Sequence, residues 1–323
     1  MKNNFQEYRE KINEELKKLP LKQTPKELYD PIKYMLEMKS KRVRPILAIL
    51  AYKLTNQDWK KIVKSCIALE LFHNFTLIHD DIMDKANLRR GNKTIHEKWN
   101  KNIGILSGDL LMIFANDLLS KIPEKLLPTI LKRFNEIAKK VCEGQQYDMN
   151  YQKKILINEK KYIEMIRLKT ATLLGFSLEL GGHLSNMDNY NIKKLYEIGE
   201  LFGIGFQLSD DYLDVYGGEI FGKKIGGDII ENKKTYLSIK AYEIGSDKDK
   251  KNLEFWKVNS NSPDEKIKKI TEIFNLLNIK ELTEKKINQY FSNAFKKLDD
   301  ITLDISKKYE LKKYLELLLD RKI

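Results

Sequence analysis

Apolar side chains in the first half of the chain recur with the period of an α-helix. Ile62, Cys66, Leu69, Phe72 and Leu77 follow one another at intervals of three to five residues. This spacing groups them on one face of a helix and differs from the alternation typical of a half-buried strand. The pattern therefore predicts a helix that leads into the acidic residues after position 77.

Other segments are apolar or polar almost throughout. Residues 163–180 are too apolar for a surface helix, so we expect them inside a helical bundle. Residues 246–264 are polar, which predicts an exposed loop that carries a short helix around 253–258. Helical periodicity returns over residues 265–323.

Proline and glycine interrupt the chain rarely. Proline is missing from residues 46–122 and 129–262, and long stretches without these punctuating residues predict helices joined by short loops. Gly217-Gly218 lacks alternating strands on both sides, so no β-hairpin is predicted. We expect an all-α fold of about ten or more helices, built as one large bundle domain over residues 1–323.

Composition narrows the class of protein. Of 323 residues, 42% are hydrophobic, which is enough for a core and argues against disorder. No run of 18 uncharged apolar residues occurs and the first residues lack an apolar signal core, so neither a transmembrane segment nor export is expected. Two cysteines, Cys66 and Cys142, exclude a disulfide scaffold or a cysteine-rich zinc module. We predict a cytoplasmic protein.

The charge balance first suggests a polyanionic partner. The 59 basic and 46 acidic residues give a net charge of +13, and 51 of the basic residues are lysines. Most lysines alternate with glutamates, as in residues 11–18, which is typical of solvated helix faces. Binding to nucleic acid is therefore not predicted.

Two matching aspartate clusters are the sharpest feature of the sequence. Each has the form DDxxD, at residues 80–84 and 210–214, and each follows an apolar helical run. The first and last aspartates of each cluster lie one helical turn apart, where like charges repel unless a cation compensates them. Carboxylates alone favour hard cations, and magnesium is usually shared with substrate phosphates. The clusters predict a magnesium and phosphate site.

Basic residues accompany these clusters. Four of the eight arginines fall in Lys41-Arg42-Val43-Arg44-Pro45 and Arg89-Arg90-Gly91. Arginine presents a planar fork that binds phosphate oxygens bidentately, so arginines kept in a lysine-rich chain indicate that this geometry is needed. Lys169, on the apolar 163–180 segment, points either to the surface or toward an anion.

These motifs, in this order, resemble the trans-type polyprenyl diphosphate synthases, the family of farnesyl and geranylgeranyl diphosphate synthases. The resemblance extends from about residue 28 to residue 240. It is carried by the following motifs: Lys41-Arg42-x-Arg44-Pro45, Glu70-x-x-His73, both DDxxD clusters, Arg89-Arg90-Gly91, Gly108-Asp109, Gly144-Gln145-x-x-Asp148, Lys169-Thr170, Phe206-Gln207 and the loop 222–235. It implies an all-α bundle around a central cavity, usually a homodimer, that condenses isopentenyl diphosphate head-to-tail with an allylic diphosphate.

The resemblance also assigns roles to individual residues. It implies three Mg²⁺ ions, two of them bound by Asp80, Asp84 and Asp148 and the third by Asp210. The remaining aspartates of the two clusters would act through water or by supporting these ligands: Asp81, Asp211 and Asp214. Arg89, Lys169 and Lys233 would clamp the leaving diphosphate, with Lys224 or its neighbour Lys223 as a fourth contact. Lys41, Arg44, His73 and Arg90 would bind isopentenyl diphosphate. Thr170 and Gln207 would direct oxygen dipoles toward the allylic cation.

Product length is expected to depend on the helix that enters the first DDxxD. Phe75 lies five residues before Asp80, about 7.5 Å along a helix, and Thr76 lies one residue closer. An aromatic residue at the fifth position alone resembles the geranylgeranyl type, and Phe72 is a possible deeper floor. We expect a C20 product first, then C15, then longer chains.

One departure and two further alternatives accompany this interpretation. The family often has two glycines where this chain has Lys39-Ser40, which would change the loop but leave its charged side chains. A class I terpene cyclase shares the helical fold but has no second diphosphate for Lys41, Arg44, His73 and Arg90 to bind. A non-catalytic subunit of a heteromeric synthase usually loses the aspartate clusters that are intact here.

Overall fold

The chain is almost entirely helical in the computed structural model, which describes residues 4–21, 24–152, 154, 156–217, 226–259 and 262–320. The α-helices are α1 (Asn4–Lys17), α2 (Lys26–Glu37), α3 (Val43–Lys53), α4 (Val63–Asp84), α5 (Ile95–Lys98), α6 (Lys101–Leu119), α7 (Leu127–Gln152), α8 (Glu159–Ile166), α9 (Thr172–Leu184), α10 (Asn189–Tyr216), α11 (Gly227–Ile230), α12 (Tyr236–Ile244), α13 (Asp247–Val258), α14 (Pro263–Leu276), α15 (Ile279–Asp299) and α16 (Ile305–Leu319). A 3-10 turn (Trp59–Ile62) precedes α4, and a π-helical turn (Arg167–Ala171) joins α8 to α9. The prediction of an all-α chain is confirmed.

The chain divides into two compact units. The first comprises Met1–Glu136, Phe176–Tyr196 and Asp299–Ile323, and the second comprises Ile137–Gly175 and Glu197–Leu298. The borders fall inside α7, α9, α10 and α15. The expectation of a single domain over residues 1–323 stays a prediction.

The first unit is built around α3 and α4. Eight consecutive residues of α3, from Pro45 to Tyr52, are buried, as expected for a helix that is apolar on every side. Phe72 of α4 packs edge-on against Phe134 with ring centroids 5.2 Å apart, and Phe134 contacts Phe176 at 6.1 Å. These contacts fix the helix that carries the first aspartate cluster.

The second unit has its own apolar core. Val215 at the end of α10 packs in one cluster with Leu237 of α12, Leu253 of α13 and Phe274 of α14. Phe202 and Phe291 are in contact at a centroid distance of 5.1 Å and fasten α10 to α15. The second aspartate cluster therefore lies on a helix that is held along its length.

Three expectations from the sequence need correction. A two-stranded hairpin does form, with Leu88–Arg89 paired to Asn92–Lys93, because the turn residues Arg90 and Gly91 both adopt positive φ and close the tight turn that short hairpins favour. The short helix predicted around 253–258 within an exposed loop is longer than expected: α13 already begins at Asp247, after a capping box made by Ser246 and Asp249. The apolar segment 163–180 is largely buried, as predicted, but the π-helical turn interrupts its helix.

One described helix, α6, is long and apolar enough to cross a membrane by length and composition, with 33% of its most apolar window buried. Core helices of proteins without membrane spans have the same length and composition, so this is weak evidence. The expectation of no transmembrane segment stays a prediction.

Candidate active site

The first aspartate cluster ends α4. Lys85 adopts the left-handed conformation just after the helix and closes its last turn through backbone hydrogen bonds. Asp80 and Asp84 are both partly exposed, whereas Asp81 is only 3% exposed. The predicted pair Asp80 and Asp84 therefore occupies the accessible side of the helix end, and Asp81 occupies its buried side.

Arg89 is bound to this buried carboxylate. The Nε of Arg89 donates to both oxygens of Asp81, at 3.0 and 3.2 Å, and its Nη2 lies 3.8 Å from Asp80 Oδ2. Two hydrogen bonds from one guanidinium to one carboxylate define both position and orientation. Asp81 therefore holds Arg89 beside the aspartate pair.

Small residues of α6 let it approach the end of α4 closely. A Cβ on Gly108 would lie 2.4 Å from His79 Nε2, and a Cβ on Gly104 would lie 2.9 Å from Ile82 Cδ1. The His79 ring nitrogen Nε2 is 3.1 Å from the carbonyl oxygen of Ile105. The Gly108-Asp109 motif thus receives a physical role, since a side chain at position 108 would displace the ring of His79, the residue before Asp80 on α4.

Four guanidinium groups influence His73. Burial lowers the pKa of His73 well below its ordinary value, and the positive charges of Arg44, Arg90, Arg89 and Arg42 lower it further. His73 is therefore neutral at pH 7 and acts as a hydrogen-bonding group without adding charge. Arg44, His73 and Arg90, three of the residues predicted to bind isopentenyl diphosphate, are thus close enough to interact electrostatically.

Arg44 is the member of this group with an unsatisfied donor. Its Nε is buried and has no hydrogen-bond partner in the described part of the chain. Burial lowers its pKa to about 10, and the nearby Glu70 carboxylate opposes that shift. A buried donor left unpaired is costly, so the geometry suits an incoming anion.

In the second unit, Lys169 forms an ion pair with Asp148. Lys169 Nζ lies 2.6 Å from Asp148 Oδ2. Lys169 belongs to the π-helical turn, a local widening that often occurs at functional sites. The structure therefore brings together two residues that the sequence placed in separate motifs.

Gly144 makes this arrangement possible. A Cβ at Gly144 would lie 2.2 Å from the backbone nitrogen of Lys169 and 2.8 Å from the carbonyl carbon of Leu168. Only a residue without a side chain allows α7 and the π-helical turn to pack backbone to backbone. The glycine of the Gly144-Gln145 motif thus sets the position of Lys169.

A chain of hydrogen bonds connects Thr170 to the second aspartate cluster. The Thr170 hydroxyl donates to Gln207 Oε1 at 3.1 Å, and Gln207 Nε2 donates to Asp211 Oδ1 at 3.3 Å. The other oxygen of Asp211 accepts from the Tyr162 hydroxyl and from the Tyr236 amide at 3.0 Å. Asp211 thereby orients the Gln207 amide so that its oxygen lies beside Thr170.

Burial raises the pKa of Asp211 to about 7, while its hydrogen bonds from Tyr162 and Tyr236 oppose the shift. Asp211 is 3% exposed, whereas Asp210 and Asp214 are partly exposed. Asp214 Oδ2 accepts from the backbone amide of Asp228 at 3.0 Å and so anchors the start of α11. Its predicted metal role stays a prediction.

Lys233 follows α11 and lies 3.4 Å from Asp228 Oδ1 and 3.1 Å from Glu231 Oε2. Its side chain is 40% exposed, which leaves the ammonium accessible to solvent. Lys224 and its neighbour Lys223, the predicted fourth contact to diphosphate, lie outside the described residues.

The residues expected to set product length lie on α4. Phe75 is partly exposed and packs between Phe72, at 5.6 Å, and His79, at 4.7 Å. Phe72 is fully buried. The Thr76 hydroxyl donates to the carbonyl of His73 within the helix, at 2.8 Å. Their predicted effect on product length stays a prediction.

The donor set fits magnesium. Among the side chains that the structure describes, no group of three or more His, Cys, Asp or Glu is arranged to hold a metal ion. Magnesium usually takes one or two protein carboxylates and completes its shell with water and substrate phosphates. The accessible pair Asp80 and Asp84 meets that requirement.

Some residues that support the site through buried contacts are not apparent from the sequence. Tyr162 lies seven residues before Lys169, two helical turns in a regular helix, but a lone tyrosine carries no distinctive signal. Asn13 contacts Arg42 from α1, 29 residues away in sequence. Such distant pairs become visible only when the helices are packed.

Comparisons with known proteins agree on the family. The sequence pattern of the polyprenyl synthetase family matches residues 25–275. The geranylgeranyl pyrophosphate synthase of Geoglobus acetivorans is 35% identical over 94% of this chain and 95% of its own length, and a short chain isoprenyl diphosphate synthase of Methanocaldococcus jannaschii is 38% identical over 82% and 80%.

Solved structures give the same answer. A crystal structure of a geranylgeranyl pyrophosphate synthase superposes with a TM-score of 0.93 at 36% identity, covering 98% of this chain and 99% of that one. The geranylgeranyl pyrophosphate synthetase of Pyrococcus horikoshii Ot3 gives a TM-score of 0.91 at 28% identity, over 98% and 96% of the two chains. The resemblance predicted from the motifs is therefore confirmed, and this chain belongs to the polyprenyl synthetase family.

Proposed function

We propose that this protein condenses isopentenyl diphosphate head-to-tail with an allylic diphosphate in a magnesium-dependent reaction. The observation that carries the proposal is the buried Nε of Arg44, which has no hydrogen-bond partner in the described part of the chain. Arg44 is also close enough to Arg90 and His73 to influence both electrostatically. This set can bind a second diphosphate, in addition to the one that the aspartate clusters would bind through Mg²⁺. A terpene cyclase binds one diphosphate and would leave this set without a purpose.

The first step breaks the bond between the allylic carbon and its diphosphate. When bound, Mg²⁺ neutralises charge on the departing diphosphate. We assign Asp80, Asp84, Asp148 and Asp210 as ligands of three ions, with Asp81 and Asp214 in support. Asp81 acts by holding Arg89, a role that its two hydrogen bonds to Arg89 support.

Cationic side chains receive the leaving group. Lys169, Lys233 and Arg89 are the proposed contacts, with Lys224 as a fourth. Lys169 is paired with Asp148 at 2.6 Å, so the ammonium is already positioned before substrate binds. Positioned charges stabilise a developing anion more than mobile ones because they need no reorganisation.

Isopentenyl diphosphate is bound by Lys41, Arg44, His73 and Arg90. Its double bond attacks the allylic cation. One carbon–carbon bond forms, and a proton leaves the adduct. The lowered pKa of His73 makes it a weak base, so we assign proton acceptance to the released diphosphate. Thr170 and Gln207 stabilise the cation through their oxygen atoms, which the Asp211 hydrogen bonds support.

We propose geranylgeranyl diphosphate (C20) as the main product, followed by C15 and then longer chains. Phe75 is the proposed floor for the growing chain, with Thr76 above it and Phe72 below. The partial exposure of Phe75, in contrast to the full burial of Phe72, supports this order. The names of the relatives from Geoglobus acetivorans and Pyrococcus horikoshii agree with C20.

We also propose that the enzyme is a cytoplasmic homodimer. Ile105, Leu106 and Ile113 share one side of α6 and are 43%, 60% and 62% exposed. An apolar strip of this kind on a helix favours contact with a second copy. Light scattering at several concentrations tests the dimer.

The reaction is tested by incubating the full chain with Mg²⁺, isopentenyl diphosphate and C5, C10 or C15 primers, then separating products by chromatography. We expect mainly C20, and no hydrocarbon from an allylic diphosphate alone. Asp80→Ala and Asp210→Ala should lose activity by about 100-fold or more. Asp58→Ala is the matched control, since Asp58 is exposed and pairs with Lys61 at 3.0 Å. Hydrocarbon from the allylic substrate alone, or normal turnover in Asp80→Ala, would refute the proposal.

A further inference from the structure

Arg42 is buried although it lies between two residues proposed to bind substrate. Lys41 is exposed and Arg44 partly exposed, but Arg42 is only 4% exposed. Its φ of 53° lies in the left-handed region, which is unfavourable for a residue with a Cβ atom. Contacts elsewhere must therefore hold this conformation.

Three elements provide those contacts. Arg42 Nη1 donates to Glu70 Oε1 of α4 at 2.7 Å, and Nε donates to Asn13 Oδ1 of α1 at 2.9 Å. Nη2 donates to the carbonyl oxygen of Leu36, near the end of α2, at 2.5 Å. All three guanidinium nitrogens thus donate hydrogen bonds within the protein, so Arg42 stabilises this turn and does not contact substrate.

Glu70 fastens the same turn at a second point. Its side chain is 1% exposed, and Oε1 also accepts from the Ser40 hydroxyl at 3.3 Å. Ser40 Oγ in turn accepts from the backbone amide of Arg42 at 3.3 Å. Glu70 therefore holds both residues that flank Lys41, and it lies one helical turn before His73 on α4.

We propose that Glu70 and Arg42 are positioning residues for isopentenyl diphosphate. The buried pair fixes the turn of residues 39–44 against α4, so that Lys41 and Arg44 keep set positions relative to His73. This inference rests on the proposed function. It also explains how the chain retains the loop although Lys39-Ser40 replaces the family's usual glycines, because the Ser40 hydroxyl is part of the network.

A purely electrostatic role for Glu70 predicts the opposite result. Its carboxylate opposes the positive charges of Arg44 and Arg90, so removing that charge alone would strengthen diphosphate binding. If Glu70 instead holds Arg42 in place, removing its carboxylate charge would leave Arg42 buried without an ion-pair partner and loosen the turn of residues 39–44. The direction of change in KM for isopentenyl diphosphate therefore separates the two roles.

The test compares steady-state kinetics of Glu70→Gln with wild type. We expect KM for isopentenyl diphosphate to rise about tenfold, equivalent to about 1.4 kcal/mol. The kcat and the KM for the allylic substrate should stay within about twofold, because the allylic contacts lie on other side chains. Asn13→Ala, which removes one Arg42 acceptor but keeps the Glu70 charge, should raise the same KM by a smaller factor.

Glu179→Gln is the matched control. Glu179 is 5% exposed and accepts from Arg133 at 2.7 and 2.8 Å, so the substitution removes the same charge from a buried carboxylate that is also paired with an arginine. It should leave both KM values unchanged. This comparison removes any general effect of losing a buried carboxylate.

An unchanged or lower KM for isopentenyl diphosphate in Glu70→Gln would overturn the inference. If that variant does not fold, Asn13→Ala decides: a selective rise in this KM supports the positioning role, and equal rises in both KM values or none overturn it. If wild type condenses no isopentenyl diphosphate at all, the proposed function itself fails, which is a different result.

Discussion

Replacing Gly144 with alanine should reduce turnover sharply. The new Cβ would lie 2.2 Å from the backbone nitrogen of Lys169, where an ordinary contact begins at 3.4 Å, so the two backbones must separate by about 1.2 Å. The Lys169 ammonium, now 2.6 Å from Asp148, moves with its backbone. A misplacement of about 1 Å costs on the order of 100-fold in rate, and the overpacking costs about 1–3 kcal/mol of stability.

The assay is kcat at saturating concentrations of both substrates, with the midpoint of thermal unfolding measured alongside. Gly182→Ala is the control, because Gly182 is also a helical glycine but the two nearest atoms to its new Cβ belong to side chains, Leu195 Cδ1 at 3.0 Å and Ile192 Cγ1 at 3.1 Å. Both variants gain the same helix propensity, about 1 kcal/mol. A kcat for Gly144→Ala within about twofold of the control would refute the reasoning.

Three further predictions concern other parts of the site. Phe75→Ala should lengthen the products, measured by chromatography, and products of unchanged length would mean that Phe75 is not the floor. Its loss of stability should be smaller than that of Phe72→Ala, because removing the fully buried Phe72 ring costs about 3–5 kcal/mol. Tyr162→Phe removes a donor to the buried Asp211 and should cost about 1–3 kcal/mol in urea unfolding together with a fall in kcat, and normal values of both would contradict the hydrogen-bond chain. Because the pKa of His73 is held well below 6.5, its ring should stay neutral from pH 8 down to pH 6, and KM for isopentenyl diphosphate should show no titration of His73 in that range. An inflection of KM near pH 6.5 that disappears in His73→Gln would count against this.

The fold class and the main motifs could be predicted from the sequence because they depend on local patterns. The spacing of Ile62, Cys66, Leu69 and Phe72 predicts α4, and the missing prolines predict the long helices. Each DDxxD cluster is itself a local signal. These features need no knowledge of which helices are neighbours.

Other features depend on packing and left little trace. The hairpin at Leu88–Lys93 has strands of only two residues, too short for alternation to be visible. The α13 helix is highly polar, so its capping box was the better signal than its apolar content. The roles of Arg42 and Asp81 follow from their partners, Glu70 and Arg89, which sequence spacing alone does not reveal.

The π-helical turn has a consequence for how this enzyme is compared with its relatives. A π-helical turn completes one turn with one residue more than the α-helical turn it replaces, so the helices on either side keep almost the same rotation with or without the extra residue. Deleting one residue from Arg167–Ala171 would convert the wide turn into a regular one and leave α8 and α9 nearly in register. It would also remove the local widening that carries Lys169. For this segment, an alignment gap of a single position therefore marks the loss of that widening and not a shift of the flanking helices.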